Sequence, residues 1–202
     1  MKKNKINLIT LGCSKNTVSS EKLLKQLQNG GYEIEHDSND TDAGTIIINT
    51  CGFINDAKEE SIDTILSYVC KKEKRLIDKI YVMGCLSERY MEELKTQIPE
   101  VTKYFGVNDT GRILKEMGIH FRDDLSEMRI LTNPGHYAYL KISEGCDRNC
   151  AFCAIPLIRG RYISRPLEDI IKEAQYLADS GVKELILVAQ DLTRYGEDLY
   201  GR

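Results

Sequence analysis

Residues 45–50, TIIINT, crowd three isoleucines between polar ends and leave no position in the run for a solvent-facing side chain. Such a strand is stable only when both faces are covered, as in a parallel sheet flanked by helices. Short apolar runs recur at INLITLG (6–12), KIYVMG (79–84) and KYFGV (103–107), and YEIEH (32–36) adds a more polar, alternating strand. Helical-period segments lie between them. NTVSSEKLLKQLQNGG places Val18, Leu23, Leu24 and Leu27 on one face and is stopped by Gly30 and Gly31. NDAKEESIDTILSYVCKKEKR, SERYMEELKTQI before Pro99, and DTGRILKEMG follow in turn. This βαβ alternation predicts an α/β fold, a doubly wound parallel-sheet domain with right-handed crossovers over residues 1–120.

HFRDDLSEMRILTNPGH then breaks the rhythm and ends in an Asn-Pro-Gly turn, so residues 121–135 are expected to form a linker. Over 136–202, YAYLKIS is strand-like, CDRNCAFC is a loop, RPLEDIIKEAQYLADSG is an amphipathic helix and VKELILVAQD is expected to be a second buried strand. These make one further βα unit and the start of another.

The 28 basic side chains nearly balance the 31 acidic ones, so no global field draws the chain to nucleic acid, and direct nucleic-acid binding is not expected. The apolar run after the N-terminal lysines is shorter than a signal-peptide core and is interrupted by Thr10. No stretch approaches the roughly 20 apolar residues that span a bilayer. A cytoplasmic location with no membrane partner is the expectation. There, seven cysteines are kept reduced, and an odd number cannot all pair, which turns attention to metal or redox chemistry.

The cysteines sort by position. Cys13, Cys51 and Cys85 each fall just past the end of a predicted strand, in ITLGC, IINTC and YVMGC. Ligand sites in open α/β sheets form outside the carboxyl ends of strands, so residues far apart in sequence can converge there. Gly12, Gly52 and Gly84 adjoin these cysteines, as expected where the backbone turns sharply or approaches a bulky ligand. A lone buried cysteine is most often a small hydrophobe, but three repetitions at the same kind of strand end favour one shared three-thiolate site. Cys70 follows Ile62, Ile65, Leu66 and Val69 along a helical stripe and is expected in the core.

Cys146, Cys150 and Cys153 form a second, local set with C-x3-C-x2-C spacing. A structural zinc takes four ligands, and His120 and His136 are read as surface or packing residues. An iron–sulfur cluster fits better, since three thiolates on a four-iron cluster leave one iron open to a reactant. Ferredoxin-type spacing supplies a cysteine for every iron, so the incomplete set favours catalysis over simple electron transfer. A non-catalytic iron–sulfur or zinc module is the alternative.

At CDRNCAFC, with Phe152 before the last cysteine, the sequence resembles the radical S-adenosylmethionine superfamily. LGCSKNTVSSE, NTCGFINDAKEESI, GCLSERY, IPLIRGRYISRP and LVAQDLTRYGEDLYG together resemble its methylthiotransferase family, in the branch that modifies a ribosomal protein. The branch acting on tRNA typically has GCQMN where this chain has GCSKN; it is the alternative. Ser19 departs from the family's more usual Asp, at what is expected to be an exposed early-helix position.

The resemblance implies that the second unit is the start of a radical S-adenosylmethionine partial TIM-type barrel. It implies two [4Fe-4S] clusters, one on Cys13, Cys51 and Cys85 and one on Cys146, Cys150 and Cys153, together with S-adenosyl-L-methionine. The second cluster would cleave that cofactor reductively to a 5'-deoxyadenosyl radical, and the first would hold or supply the sulfur. The implied product is a methylthio group on the β-carbon of an aspartate in small-subunit ribosomal protein twelve, with an electron donor as second partner. Phe152, through its carbonyl, and Gln190, at a strand end, are candidate cofactor contacts. Arg159 and Arg161, with Arg165, either contact a carboxylate or are a solvated loop. Lys15 and Asn16 either line the first site or simply open the helix. The family's barrel and its small C-terminal β-barrel extend further than these residues, so this chain is expected to be truncated and inactive alone.

Overall fold

The computed structural model describes residues 2–201. The first unit runs β1 (Lys2–Thr10), α1 (Ser14–Asn29), β2 (Glu33–His36), β3 (Ala43–Thr50), α2 (Asn55–Glu73), β4 (Lys79–Gly84), α3 (Cys85–Gln97), β5 (Lys103–Tyr104) and α4 (Thr110–Glu116). Among the described residues its sheet has the order β2-β1-β3-β4-β5, with every neighbour parallel. β3 is central and buried at every position. Successive strand residues point to opposite faces, so Ile46 and Ile48 pack with Ile65 and Val69 of α2 and Leu94 of α3. Ile47 joins Ile6, Leu8 and the leucines Leu23, Leu24 and Leu27 of α1 on the other face. Each such buried side chain contributes roughly 1.5–3 kcal/mol, which is why the isoleucine run selects a sheet covered on both sides.

Because β2 and β3 lie on opposite sides of β1, the winding reverses between β1 and β3. The crevice outside the carboxyl ends of those strands is the topological switch point, where open α/β sheets bind ligands.

Residues 121–135 form a packed strap. A short 3-10 turn at Asp123–Leu125 precedes fully buried Arg129. Beyond it, Ile130 N–H donates to the Glu21 carbonyl at 3.2 Å, and Thr132 N–H donates to Glu21 Oε1 at 2.8 Å.

The second unit contains β6 (Tyr137–Lys141), β7 (Ser143–Glu144), α5 (Ile155–Arg159), β8 (Ile163–Ser164), α6 (Leu167–Asp179) and β9 (Glu184–Val188). β6 and β9 pair in parallel, and β7 and β8 form a two-residue antiparallel ribbon. α6 covers β6 through Ala138, Leu140, Ile142, Ile170 and Leu177.

Three expectations need correction. The strand expected to be buried, β9, is exposed at Glu184–Leu187, because among the described residues it pairs only with β6. Cys70 is exposed and not in the core: the buried stripe of α2 is Ser61, Ile65, Tyr68 and Val69, whereas Cys70 lies one turn from exposed Leu66. Ser19 is half-buried, and its hydroxyl accepts from Lys141 Nζ at 3.4 Å, which brings the second unit against α1. Among the described residues no helix is long and apolar enough to cross a membrane.

Candidate functional site

β1, β3 and β4 are adjacent in the sheet, and the chain leaves each of them through a cysteine. Cys51 directly follows Thr50, Cys85 directly follows Gly84 as the first residue of α3, and Cys13 lies in the turn between β1 and α1. All three line one cavity of about 470 Å³, where Cys13 is exposed, Cys51 half-buried and Cys85 buried. Lys15, Arg159 and Gln190 share this cavity.

Two glycines make the convergence possible. Gly12 has φ +95°, and a Cβ there would lie 2.7 Å from Cys51 Cβ and 3.0 Å from Cys51 Sγ. Gly84 has φ +100°, and its Cβ would come within 2.5 Å of Asn49 Oδ1 and the Thr50 carbonyl. An L side chain at either position would be strained and would push the cysteine-bearing turns apart.

Asn16, on the first turn of α1, ties these turns together from within. Its Nδ2 donates to the Leu11 carbonyl at 2.9 Å and to the Thr50 carbonyl at 3.1 Å. Asn49 Nδ2 in turn donates to the Asn16 carbonyl at 3.1 Å and to Ser20 Oγ at 2.9 Å. A buried amide satisfied in this way fixes both its own orientation and its neighbours'.

The second cysteine set occupies the loop between β7 and α5. Cys146 is buried and lines a separate cavity of about 400 Å³ with Asp147, Asn149, Pro156, Gly160 and Arg161, while Cys150 is exposed and Cys153 half-buried. The loop is closed by Cys153 N–H to the Cys150 carbonyl and by Cys146 N–H to the Gly160 carbonyl, both at 3.1 Å. Phe152 is 94% exposed at the loop tip.

α5, which starts two residues after Cys153, is the wall between the two cavities. Ile155 and Arg159 face the first, and Pro156 faces the second. Arg159 is buried. Its Nη1 donates to Glu144 Oε1 at 2.8 Å, and its Nη2 donates to Asn16 Oδ1 at 2.7 Å and to Cys85 Sγ at 3.3 Å. Burial works against the charges here. It would raise the Glu144 carboxyl, but Lys141 and Arg159 hold that group down to about 2. Burial would lower Arg159, yet Glu144 and the thiols more than offset this and keep it charged. Burial pushes the Cys85 thiol up, and Arg159 opposes that only in part.

The three arginines therefore separate. Arg159 enters the first cavity, Arg161 borders the second, and Arg165 turns away to Glu173 at 2.7 Å. Gln190, following β9, also faces the first cavity, and Lys15 reaches the Ala189 carbonyl at 3.5 Å. Glu144 was not anticipated from sequence, although SEGC places an acid two residues before the first cysteine of the local set.

All seven cysteines are free thiols. Among the described residues no three Cys, His, Asp or Glu side chains converge tightly enough to hold a single metal ion. Three cysteines lining one roomy cavity with a glycine in its wall suit a polynuclear iron–sulfur cluster better than one zinc.

Residues 5–106 match the family described as uncharacterized protein family UPF0004. The chain belongs to that family. Residues 140–200 match the radical SAM superfamily. Proteins called ribosomal protein uS12 methylthiotransferase RimO are similar throughout. The one from Cytophaga hutchinsonii is 54% identical over 98% of this chain and 45% of its own length, and that from Flavobacterium johnsoniae is 57% identical over 99% and 46%. The chain thus spans about half the length of the curated relatives it matches. Among solved structures, the radical S-adenosylmethionine methyltransferase TsrM from Kitasatospora setae, with tryptophan substrate and a SAM analog bound, aligns with a TM-score of 0.58 at 12% identity. That alignment covers 93% of this chain and 48% of TsrM. At that identity the likeness concerns the fold alone.

Proposed function

We propose that this chain carries the cluster-binding half of a radical S-adenosylmethionine methylthiotransferase that modifies the β-carbon of an aspartate in small-subunit ribosomal protein uS12. The observation that carries the proposal is the pair of adjoining cavities divided by α5, one lined by Cys13, Cys51 and Cys85, the other beginning at Cys146. The names and high identity of the RimO relatives support the substrate.

In this reading Cys13, Cys51 and Cys85 hold one [4Fe-4S] cluster, and Cys146, Cys150 and Cys153 hold the other. The chemistry supplied by the bound clusters and S-adenosylmethionine is reductive cleavage of a sulfonium, hydrogen abstraction from an unactivated carbon and delivery of a methylated sulfur. The protein's own part is placement. Gly12 and Gly84 let the cysteine turns close, Asn16 locks them, and α5 keeps the two sites apart by one helical wall. Phe152 offers its backbone at the loop tip, Arg161 faces the second cavity as a carboxylate partner, and Gln190 and Lys15 face the first. A cytoplasmic electron donor completes the set of partners.

Anaerobic reconstitution with iron and sulfide, followed by reduction in the presence of S-adenosylmethionine, should release 5'-deoxyadenosine. Deletion of the gene in its host, with mass analysis of uS12 and of digested tRNA, tests the substrate. Loss of the methylthio group from a uS12 aspartate is the expected result. Loss from tRNA instead overturns the substrate assignment, and metal without deoxyadenosine points to a non-catalytic module.

A further inference from the structure

Among the described residues, Arg159 is the side chain of the second unit that hydrogen-bonds a cysteine of the first. Arg159 is only 3% exposed, and its guanidinium is held on two sides before it meets the sulfur. Glu144, from the ribbon leading into the second cysteine loop, takes Nη1 at 2.8 Å, and Asn16, from α1, takes Nη2 at 2.7 Å. Asn16 has no freedom to turn away, since both bonds from its Nδ2, to Leu11 and Thr50, commit its Oδ1 to the arginine. The contact from Nη2 to Cys85 Sγ at 3.3 Å is therefore preorganised.

We infer that Arg159, oriented by Asn16 and Glu144, is a positioning residue that donates to the Cys85 sulfur and raises the reduction potential of a cluster held by Cys13, Cys51 and Cys85. The inference rests on the reading that these cysteines hold such a cluster. Hydrogen bonds to the sulfurs, net charge and burial are the levers by which proteins set iron–sulfur potentials. A buried cationic donor stabilises the form carrying the extra electron, so its removal lowers the potential. A role confined to anchoring α5 predicts no such change.

The test uses the full chain carrying Cys150→Ser, which leaves the first cysteine set intact, reconstituted with iron and sulfide. In the Arg159→Met version the iron and sulfide of the first site should be retained. At a fixed applied potential its reduced-to-oxidised ratio, read by electron paramagnetic resonance, should fall at least about tenfold, a shift of about 59 mV for a one-electron couple. Arg159→Lys, with charge but no fork, should fall between the two. Where the single variant does not assemble a cluster, the charge-neutral pair Arg159→Met/Glu144→Gln carries the same expectation. An unchanged ratio in a variant that retains its iron overturns this inference alone. A parent chain that assembles nothing on Cys13, Cys51 and Cys85 overturns the functional reading and this inference with it.

Discussion

Replacing Arg129 by methionine should separate the two units energetically while leaving both cysteine sets untouched. Arg129 is fully buried between Glu21 Oε2 at 3.4 Å and Glu173 Oε1 at 3.5 Å, and its Nη2 donates to the Tyr139 carbonyl. One guanidinium thus joins α1, the strap, β6 and α6. Removing one partner of a buried ionic group typically costs 3–5 kcal/mol. Here the lower end applies, because both acids keep other partners: Glu173 has Lys22 at 3.0 Å and Arg165 at 2.7 Å, and Glu21 accepts twice from Thr132. The expected loss is about 3 kcal/mol, a large part of the 5–15 kcal/mol typical of a domain.

The loss should also depend on pH. Burial already raises the Glu21 carboxyl above its ordinary value of 4.5, with Arg129 opposing the rise, whereas Lys22, Arg165 and Arg129 together hold Glu173 below that value against its burial. Taking Arg129 away moves both upward. A group whose folded pKa is raised contributes stability below its unfolded pKa that is lost as pH climbs through the folded one. The variant should therefore lose more stability, relative to the parent, at about pH 8 than at about pH 5. Urea unfolding at both pH values, followed by far-ultraviolet dichroism and tyrosine fluorescence, measures this. A loss under about 1 kcal/mol, or one that shrinks as pH rises, would refute the assignment of Arg129 as a buried clasp.

The remaining expectations concern the cysteine sites. Cys51→Ser should cost the reconstituted chain about half its iron and sulfide, while Cys150→Ser should remove the other half and abolish 5'-deoxyadenosine formation; loss of nearly all the iron and sulfide with either substitution alone would show a single site. Gly12→Ala places a methyl 2.7 Å from Cys51 Cβ at φ +95°, which should destabilise by roughly 1–3 kcal/mol and lower first-site iron in the same preparation. The chain on its own should give no methylthiolated uS12 peptide, since the single β6–β9 pair leaves Leu185, Ile186 and Leu187 open to water rather than enclosing a substrate. Turnover by the isolated chain would contradict that reading.

The first unit was legible because its signals are periodic and strong. Three isoleucines in a row leave β3 no exposed face, and the cysteines after β1, β3 and β4 inherit their convergence from strand order. α5 was not legible. Five residues containing a proline carry too little periodicity to announce a helix, and the two-residue ribbon of β7 and β8 carries even less. Cys70 misled because Leu66 extends the apparent stripe of α2 by one wrong residue. β9 misled differently: its composition is that of a covered strand, yet Glu184–Leu187 are exposed.

The weak sequence signal of α5 also explains why Arg159 seemed interchangeable with its neighbours. IPLIRGRYISRP shows three arginines within seven residues, and only the helical turn of α5 gives them different directions. Once that turn forms, Arg159 is carried inward to Cys85 while Arg161, past Gly160 at φ +74°, remains on the side of Cys146. The link between the two cysteine sets thus depends on very little chain: five residues lie between Cys153 and Arg159, whose guanidinium touches the other set. Ordering the second cysteine loop orders α5, and ordering α5 completes the wall of the first cavity. Disruption of α5 itself, rather than the loss of one ligand from the loop before it, is for that reason expected to weaken iron loading of the first set.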